Sequence, residues 1–283
     1  MQIGVLSQVH MEPDWKLIRS AAAARGVTLV PLLPSRLAIR ITDTGVSLLN
    51  TRLEPVKLDA VVNWEPYPAF PEVEQACLLQ GIPFVNSSDA VRRARNKMLT
   101  SLTLHAHGLP QAETVYVHKT GAAFPQPLEL PFVYKPKTGT MGRGARKFDK
   151  INDYKNFIDE NRGKKDFYFQ SFIPNAGWDV RVVVVGGKVL GAIKKMAAGG
   201  EWRSHVAYGG RAEAYRVDAG LQDLAVRAAK ALGLVFAGLD MMREQTGRFL
   251  ILEANAVPGL RIFAEVTGIN IFGAILDYLI EVL

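Results

Sequence analysis

Along the first hundred residues, short apolar runs alternate with stretches of helical periodicity. QIGVLS at the start reads as a strand, followed by an amphipathic helix from Pro13 to Ala24 and a second strand at Val27–Leu32. The order then returns: LDAVVNW as a strand, a helix over Glu72–Gln80 ended by Gly81, and IPFVN as a strand. Strands alternating with helices predict a small α/β domain built on a parallel sheet, running to about Ala94. From Asn96 the pattern changes. A helix over Asn96–His107 closes at Gly108-Leu109-Pro110, and strands follow at Glu113–Val117, Phe132–Lys135 and Ala145–Phe148. A helix at Ile151–Glu160 and a strand at Phe167–Phe172 complete a second unit, of α+β type. A third opens with strands Val180–Val185 and Lys188–Lys194, passes a Gly-rich stretch and an Ala-rich helix at Asp218–Leu232, and ends in a hairpin and the helix Ile271–Leu283.

That last hairpin carries the first chemical signal. Glu253 and Asn255 stand two apart in FLILEAN, so their side chains leave the same face of a strand. If the turn at Glu244–Gly247 joins two antiparallel strands, Arg243 pairs with Arg248, and Asp240 falls opposite Ile251, diagonal to Glu253. Two carboxylates and an amide on apolar strands suit a hard divalent cation held with substrate phosphates. The same acids also fit a loop cap or a pairing with Arg. One bulge or a one-residue slip would send Asp240 to the other face.

The 283 residues suffice for more than one domain, and 48% hydrophobic with 22% charged is the balance of a globular protein. No apolar run approaches a membrane span, and MQIGVLSQVH lacks a basic leader with a cleavage site, so a cytoplasmic protein is expected. The single cysteine, Cys77, excludes an internal disulfide framework or multi-cysteine zinc site and reads as a small buried hydrophobe. A formal charge of +7 points to anionic partners. The basic cluster Arg92, Arg93, Arg95 and Lys97 comes without a basic tail or interleaved aromatics, which makes it a solvated face. His105 and His107, two apart on a helix, point in different directions and do not form a zinc pair.

The stretch KPKTGTMGRGARK holds Gly139, Gly142 and Gly144, and such backbone can approach phosphate oxygens closely. It lacks the G-K-[ST] ending of a Walker loop, and a strand comes after it. Read alone, such a basic Gly-rich hairpin is more often a surface turn. Lys135 ends the apolar strand PFVYK just where the loop folds over, a place suited to a point charge on phosphate.

Taken together, the strand-ending Lys135, the Gly-rich hairpin and the distal D…E-x-N set resemble the ATP-grasp superfamily, in particular its RimK-like carboxylate–amine ligases. The matching pieces are NKMLTSLTLHAHGLPQAET, FVYKPKTGTMGRG, FQSFI, GWDVRVVVVGGKVLGAI, EWRSHVAYGG, GLDMM, and LEANAVPGL with EVTGINIFGAIL, from Asn96 to Leu283. The resemblance implies an ATP-grasp fold: an N-terminal domain over 1–95, a central lid over 96–172, and a C-terminal subdomain with the metal site over 173–283. It makes Lys97 and Lys135 the lysines on the ATP phosphates, and Gly139, Thr140, Gly142 and Gly144 the flap. Gln170, Ser171, Phe172 and Ile173 become the hinge along the adenine, and Asp179 the acid near the ribose. Arg181, Arg203 and Ser204 line the transfer site, with the two arginines catalytic. Asp240, Glu253 and Asn255 hold two magnesium ions, with manganese as a substitute.

The activity implied by this resemblance is that of an ADP-forming ligase, joining the amine of glutamate, or a similar amino acid, to an acidic acceptor through an acyl phosphate. The NAVPGL stretch is similar to the glutamate-adding branch. A homo-oligomer, dimer or tetramer, is expected, with no membrane and no nucleic acid as partner. Three positions depart from the family pattern: Ser171 replaces an acid in the hinge, His205 replaces an Asn and stands as a candidate site residue, and Met196 stands where an Arg is frequent. Two other readings compete. A carrier-protein ligase of amino-acid biosynthesis is disfavoured by Ala256 after Asn255. A nucleic-acid-binding protein is disfavoured by the acidic triad, which repels a phosphate backbone.

Overall fold

The computed structural model describes all residues except 9–11, 66–69, 120–124, 140–141, 175–176, 200 and 205–208. Three sheets organise them. The first is parallel, in the order β2-β1-β5-β6, from β1 (Gln2–Leu6), β2 (Thr28–Leu32), β5 (Ala60–Asn63) and β6 (Phe84–Val85). Helices α1 (Glu12–Ala23) and α2 (Pro71–Leu79) connect its strands as the alternating pattern predicts. Cys77 is fully buried beside Val61 and Phe84, and burial pushes its thiol up to about 11. A separate hairpin, β3 (Ala38–Thr42) with β4 (Gly45–Leu49), is absent from the sequence reading. Its strand β3 lies almost wholly in solvent, with Ile41 77% exposed, so its hydrophobic positions mark no buried face.

Two helices come next. The first, α3 (Ser88–Arg95), is capped by Ser87, whose hydroxyl accepts from Ala90 N–H at 3.2 Å. Of its arginines Arg92 is exposed while Arg93 and Arg95 are half-buried, and Arg92 and Arg93 both pair with Asp89. Its other side buries Ala90, Val91 and Ala94 in the core of the third sheet. Asn96 then stops α3 and caps α4 (Lys97–Ala106), its Oδ1 accepting from Met98 and Leu99 N–H at 3.1 and 3.3 Å. The amphipathic α3 escaped the sequence reading because its run of Arg reads as a solvated patch.

The second sheet is antiparallel, β7-β10-β8-β9, from β7 (Thr114–Lys119), β8 (Phe132–Pro136), β9 (Arg146–Phe148) and β10 (Lys165–Ser171). Helix α5 (Ile151–Glu160) covers it through an aromatic core of Phe132, Phe148, Tyr154, Phe157, Phe167 and Phe169. Ring contacts such as Phe132–Phe148 at 5.3 Å recur through it, and each contributes about 0.5–1.5 kcal/mol beyond its area.

The third sheet runs β13-β12-β11-β14-β15, from β11 (Trp178–Val185), β12 (Lys188–Met196), β13 (Arg211–Tyr215), β14 (Phe236–Arg243) and β15 (Phe249–Asn255). The run of valines in β11 is buried on both faces. Val180, Val182 and Val184 pack under α6 (Ala219–Leu232), and Val183 and Val185 under α7 (Leu260–Thr267) and α8 (Ile271–Val282). Full burial of one such side chain contributes about 1.5–3 kcal/mol. Asp218 caps α6 through Leu221 N–H at 2.8 Å, and Gly233 ends it at φ 73°, a left-handed conformation that suits glycine. Among the described residues no single helix is long and apolar enough to cross a membrane; α7 and α8 meet at 97°.

The register of the β14/β15 hairpin corrects the expectation. Arg243 pairs with Phe249, not Arg248, a slip of one residue. A bulge at Leu252 adds a second, so Met241 pairs with Ile251 and Asp240 stands directly opposite Glu253 rather than Ile251. Two one-residue shifts restore the face, because side-chain direction has a period of two.

Candidate functional site

The charged floor is built by strand alternation. On β11, Asp179 and Arg181 leave the same face as Val183 and Val185, at the end of the strand beyond the cover of α7 and α8. Asp240 is added by β14, and Glu253 and Asn255 by β15. A cleft of about 360 Å³ lies over this floor, closed from the other side by Lys135 and Pro136 of the second sheet and by the Gly-rich loop.

Asp240, 3% exposed, is the centre. The Arg181 fork grips it through Nε and Nη2 at 2.8 and 2.7 Å, Lys195 Nζ donates at 3.1 Å, and Asn255 Nδ2 at 3.3 Å. Burial works to raise the Asp240 carboxyl, but Arg181 and Lys195 outweigh it and hold it well below the usual carboxylate range. Lys195 also pairs with Asp179 at 2.9 Å, and the Ser204 hydroxyl donates to the other Asp179 oxygen. There burial wins over Lys195, and the neighbouring Asp240 adds to it, so the Asp179 carboxyl is pushed up to about 6. Asp179 is therefore knit into the acid–cation floor.

Opposite the floor, Lys135 Nζ donates to Gln170 Oε1 at 2.6 Å. Burial, reinforced by the nearby Lys97 ammonium and opposed by Glu253, depresses Lys135 to about 8. Lys97 is 9% exposed despite its place at the start of a helix; its Nζ lies 3.6 Å from Glu253 and 3.4 Å from the Gly139 carbonyl. The Lys97 N–H donates to Lys137 O at 3.0 Å, tying α4 to the strand that leads into the loop. In that loop Gly142 has φ 63°, and a Cβ there would sit 3.3 Å from Arg203 Cδ, so glycine lets the loop lie against the arginine.

Arg203 is organised by Glu201. Its Nε and Nη2 donate to the two Glu201 oxygens at 3.0 and 2.7 Å, and the Trp202 and Arg203 backbone N–H groups donate to Oε1 at 2.9 and 3.0 Å. Hydrogen bonding to Arg203 brings the Glu201 carboxyl down to about 2. Arg203 Nη1 also reaches the Gly142 carbonyl at 3.5 Å.

The other end of the cleft is apolar. Met242 and Leu252 pack with Leu250, Ala112 and Ile173. The bulge brings consecutive residues, Leu252 and Glu253, both onto the cleft. In the segment 171–173 the N–H groups of Ser171 and Phe172 are taken by the carbonyls of Glu113 and Pro131. The Phe172 ring lies 6.4 Å from Trp202 and under Lys147 Nζ at 4.3 Å.

The structure thus brings together Lys97, Lys135, Gly139, Gly142, Asp179, Arg181, Arg203, Ser204, Asp240, Glu253 and Asn255 around one cleft. Gly144 packs over Pro136, and Gln170 stands behind Lys135. Thr140 and His205 lie outside the described residues. Lys195, Glu201 and Trp202 were missed. Met196, where an arginine was sought, precludes no charge, because its neighbour Lys195 supplies one. Among the described residues no group of three or more His, Cys, Asp or Glu side chains gathers as metal ligands. The donor set is two carboxylates and an amide, and Glu253 keeps 29% of its side chain open to the cleft, which fits a hard cation completed by phosphate oxygens and water.

A sequence model of the RimK-like ATP-grasp domain matches residues 94–279. A protein of Xanthomonas campestris pv. campestris (strain 8004) described as a probable alpha-L-glutamate ligase is 32% identical, covering 99% of this chain and 98% of its own. One of Maridesulfovibrio salexigens with the same description is 30% identical, with 99% and 95% covered. Among solved structures, the ATP-grasp ligase PsnB complexed with minimal precursor, Mg and ADP superposes with a TM-score of 0.72 at 20% identity, over 98% of this chain and 97% of that one.

Proposed function

The chain belongs to the RimK-like ATP-grasp family and is a carbon–nitrogen ligase of that family, and from this premise we propose that it joins the amine of glutamate, or a similar amino acid, to an acceptor carboxylate. ATP and magnesium serve the reaction, and in our reading ADP, phosphate and an acyl-phosphate intermediate are formed. The description of the relatives as glutamate ligases and the NAVPGL stretch at 255–260 support glutamate. A basic chain suits an acidic acceptor, such as a glutamate-bearing coenzyme or peptide.

The observation that carries this reading is the order of chemistry along the cleft. Met242 and Asp240 are two apart on β14, about 7 Å by strand geometry, so an apolar slot beside Ile173 leads directly to the acid cluster under two lysines. A purine suits the slot, and its phosphates then reach Lys135 and Lys97, which offset their charge. Asp240, Glu253 and Asn255 would hold two magnesium ions, or manganese in their place, which when bound supply charge neutralisation of the phosphates. The loop at 139–144 excludes water from the transfer. The acceptor carboxylate attacks the terminal phosphorus, the amine then attacks the acyl carbon, and phosphate leaves. Arg181 and Arg203 stabilise the developing oxyanion, a contact that typically contributes about 3–4 kcal/mol. No side chain needs to act as a covalent nucleophile.

Incubation with magnesium, ATP, single amino acids and a cell extract should yield ADP together with products one residue heavier by mass spectrometry, with glutamate the preferred amine. No amine-dependent ADP release with any amino acid would overturn the proposal. Glu253→Gln should lower turnover by about 100-fold or more, the scale of a lost electrostatic contact to the transition state, with an unchanged circular dichroism spectrum. Wild-type turnover in that variant would remove Glu253 from the site.

A further inference from the structure

The cleft floor holds a buried lysine that no step of the proposed reaction uses, and its role rests on the assignment of the cleft as the cation and phosphate site. Asp240 is saturated: Arg181 supplies two hydrogen bonds, and Lys195 and Asn255 one each, against the four lone-pair positions or so of a carboxylate. A cation that binds Asp240 must displace one of these donors. The Arg181 fork makes the two shortest contacts, 2.7 and 2.8 Å, and Asp240 is the only acid it pairs with among the described residues. Lys195 makes one contact at 3.1 Å, and it has a second acid in Asp179 at 2.9 Å. Stripping Arg181 would leave a buried guanidinium unpaired, whereas Lys195 keeps a partner when it lets go. Asp179 is 7% exposed and fixed by the Ser204 hydroxyl, so the displaced ammonium stays anchored at the floor.

We propose that Lys195 is a positioning residue that competes with the divalent cation for Asp240 and, once displaced, keeps its positive charge beside the transferred phosphate through Asp179. The competition gives a signature that a purely structural role would not. Removing the lysine should tighten cation binding while slowing the reaction; loss of packing or of fold would weaken both.

The test uses the full-length protein. Manganese binding is followed by electron paramagnetic resonance, the magnesium dependence of ADP binding by calorimetry, and turnover in parallel. For Lys195→Gln the cation midpoint should fall roughly tenfold, and kcat should fall by at least a similar factor. Lys195→Arg, which keeps the charge, should return the midpoint toward wild type. Should Lys195→Gln fail to fold because the buried Asp179 loses its cation, Lys195→Gln combined with Asp179→Asn removes that charge and should show the same lowered midpoint. A folded variant whose midpoint is unchanged or raised overturns the inference and leaves the site assignment standing. Wild-type protein that takes up no nucleotide with magnesium overturns both.

Discussion

Lys135 illustrates how one side chain carries both a structural cost and a functional readiness. Burial lowers it to about 8 from the ordinary 10.5. Its charge therefore costs stability below about pH 8, and that cost fades as pH rises from 8 past 10.5, above which folded and unfolded chains are both neutral at this site. A polyphosphate in the cleft restores the preference for the ammonium. Nucleotide binding at pH 8 should therefore take up about half a proton, seen as a dependence of the calorimetric enthalpy on buffer ionisation. Lys135→Met should abolish that uptake; an unchanged dependence would assign the proton elsewhere. The role of Lys135 was legible because a lysine ending an apolar strand is unusual. Lys97, by contrast, looks like any lysine at a helix start, and only the loop folded across α4 buries it to 9%.

At the scale of elements, two bulges decide which side chains face the cleft. In β15 the extra residue is Leu252; in β12 it is Leu190, since Val184 pairs with Val189 and Val183 with Gly191. Counting straight back from the Gly186-Gly187 turn would put Lys194 opposite Asp179, and the bulge puts Lys195 there instead. That is why the buried lysine was invisible to a period-two count, and why the β14/β15 hairpin kept its face only through a second shift. The bulge in β15 also gives the cleft an apolar wall beside its acid. Leu252→Ala should raise the nucleotide Kd roughly 5- to 30-fold, the equivalent of about 1–2 kcal/mol of lost apolar contact, while leaving the cation affinity of the floor within about twofold. A matching loss in both would mean that Leu252 supports the acids rather than the base. A turn far from the cleft is as constrained as the loop over it: Gly186 has φ 56° and a Cβ there would come within 2.5 Å of the Tyr278 ring. Gly186→Ala should therefore shift α8 and lower the thermal midpoint by several degrees, the scale of about 1–3 kcal/mol for strain and overpacking.

At the scale of the whole molecule, the third sheet and the first share one core. Ile3, Val5, Trp15 and Ile18 pack with Val183, Phe236, Phe263 and Leu276, and Arg25 clasps Asp277 across α1 and α8 at 2.6 Å. A buried amide ties the joint as well. Asn86 Nδ2 donates to Phe236 O and Ala256 O at 2.8 and 3.2 Å, and its Oδ1 accepts from the N–H groups of Val235 and Phe236 at 2.7 and 3.2 Å. Asn86→Ala would leave those backbone groups without a partner in the interior. Each unsatisfied group costs about 1–3 kcal/mol, so with four hydrogen bonds lost a fall of at least about 4 kcal/mol in denaturant unfolding is expected. A loss under about 1 kcal/mol would show that the joint tolerates water. Because Ala256 directly follows the Asn255 of the floor, the same variant should also weaken magnesium-supported nucleotide binding.

The sequence by itself determined the order of the α/β and α+β units, the chief helices with the glycines that close them, and the family, since periodicity, helix-stop residues and linear motifs are local properties of the chain. It also named most of the residues that meet in the cleft, Glu253 and Asn255 from strand alternation and the others, Asp179 and Arg181 among them, from the family resemblance. Only the tertiary structure decided which acid faces which cation. That depends on register, which bulges at Leu190 and Leu252 reset by whole residues, and on burial, which α3 and Lys97 acquire from neighbours distant in the chain. A carboxylate such as Asp240 has its charge state and its partners set by groups on three other strands, and no linear spacing encodes that convergence.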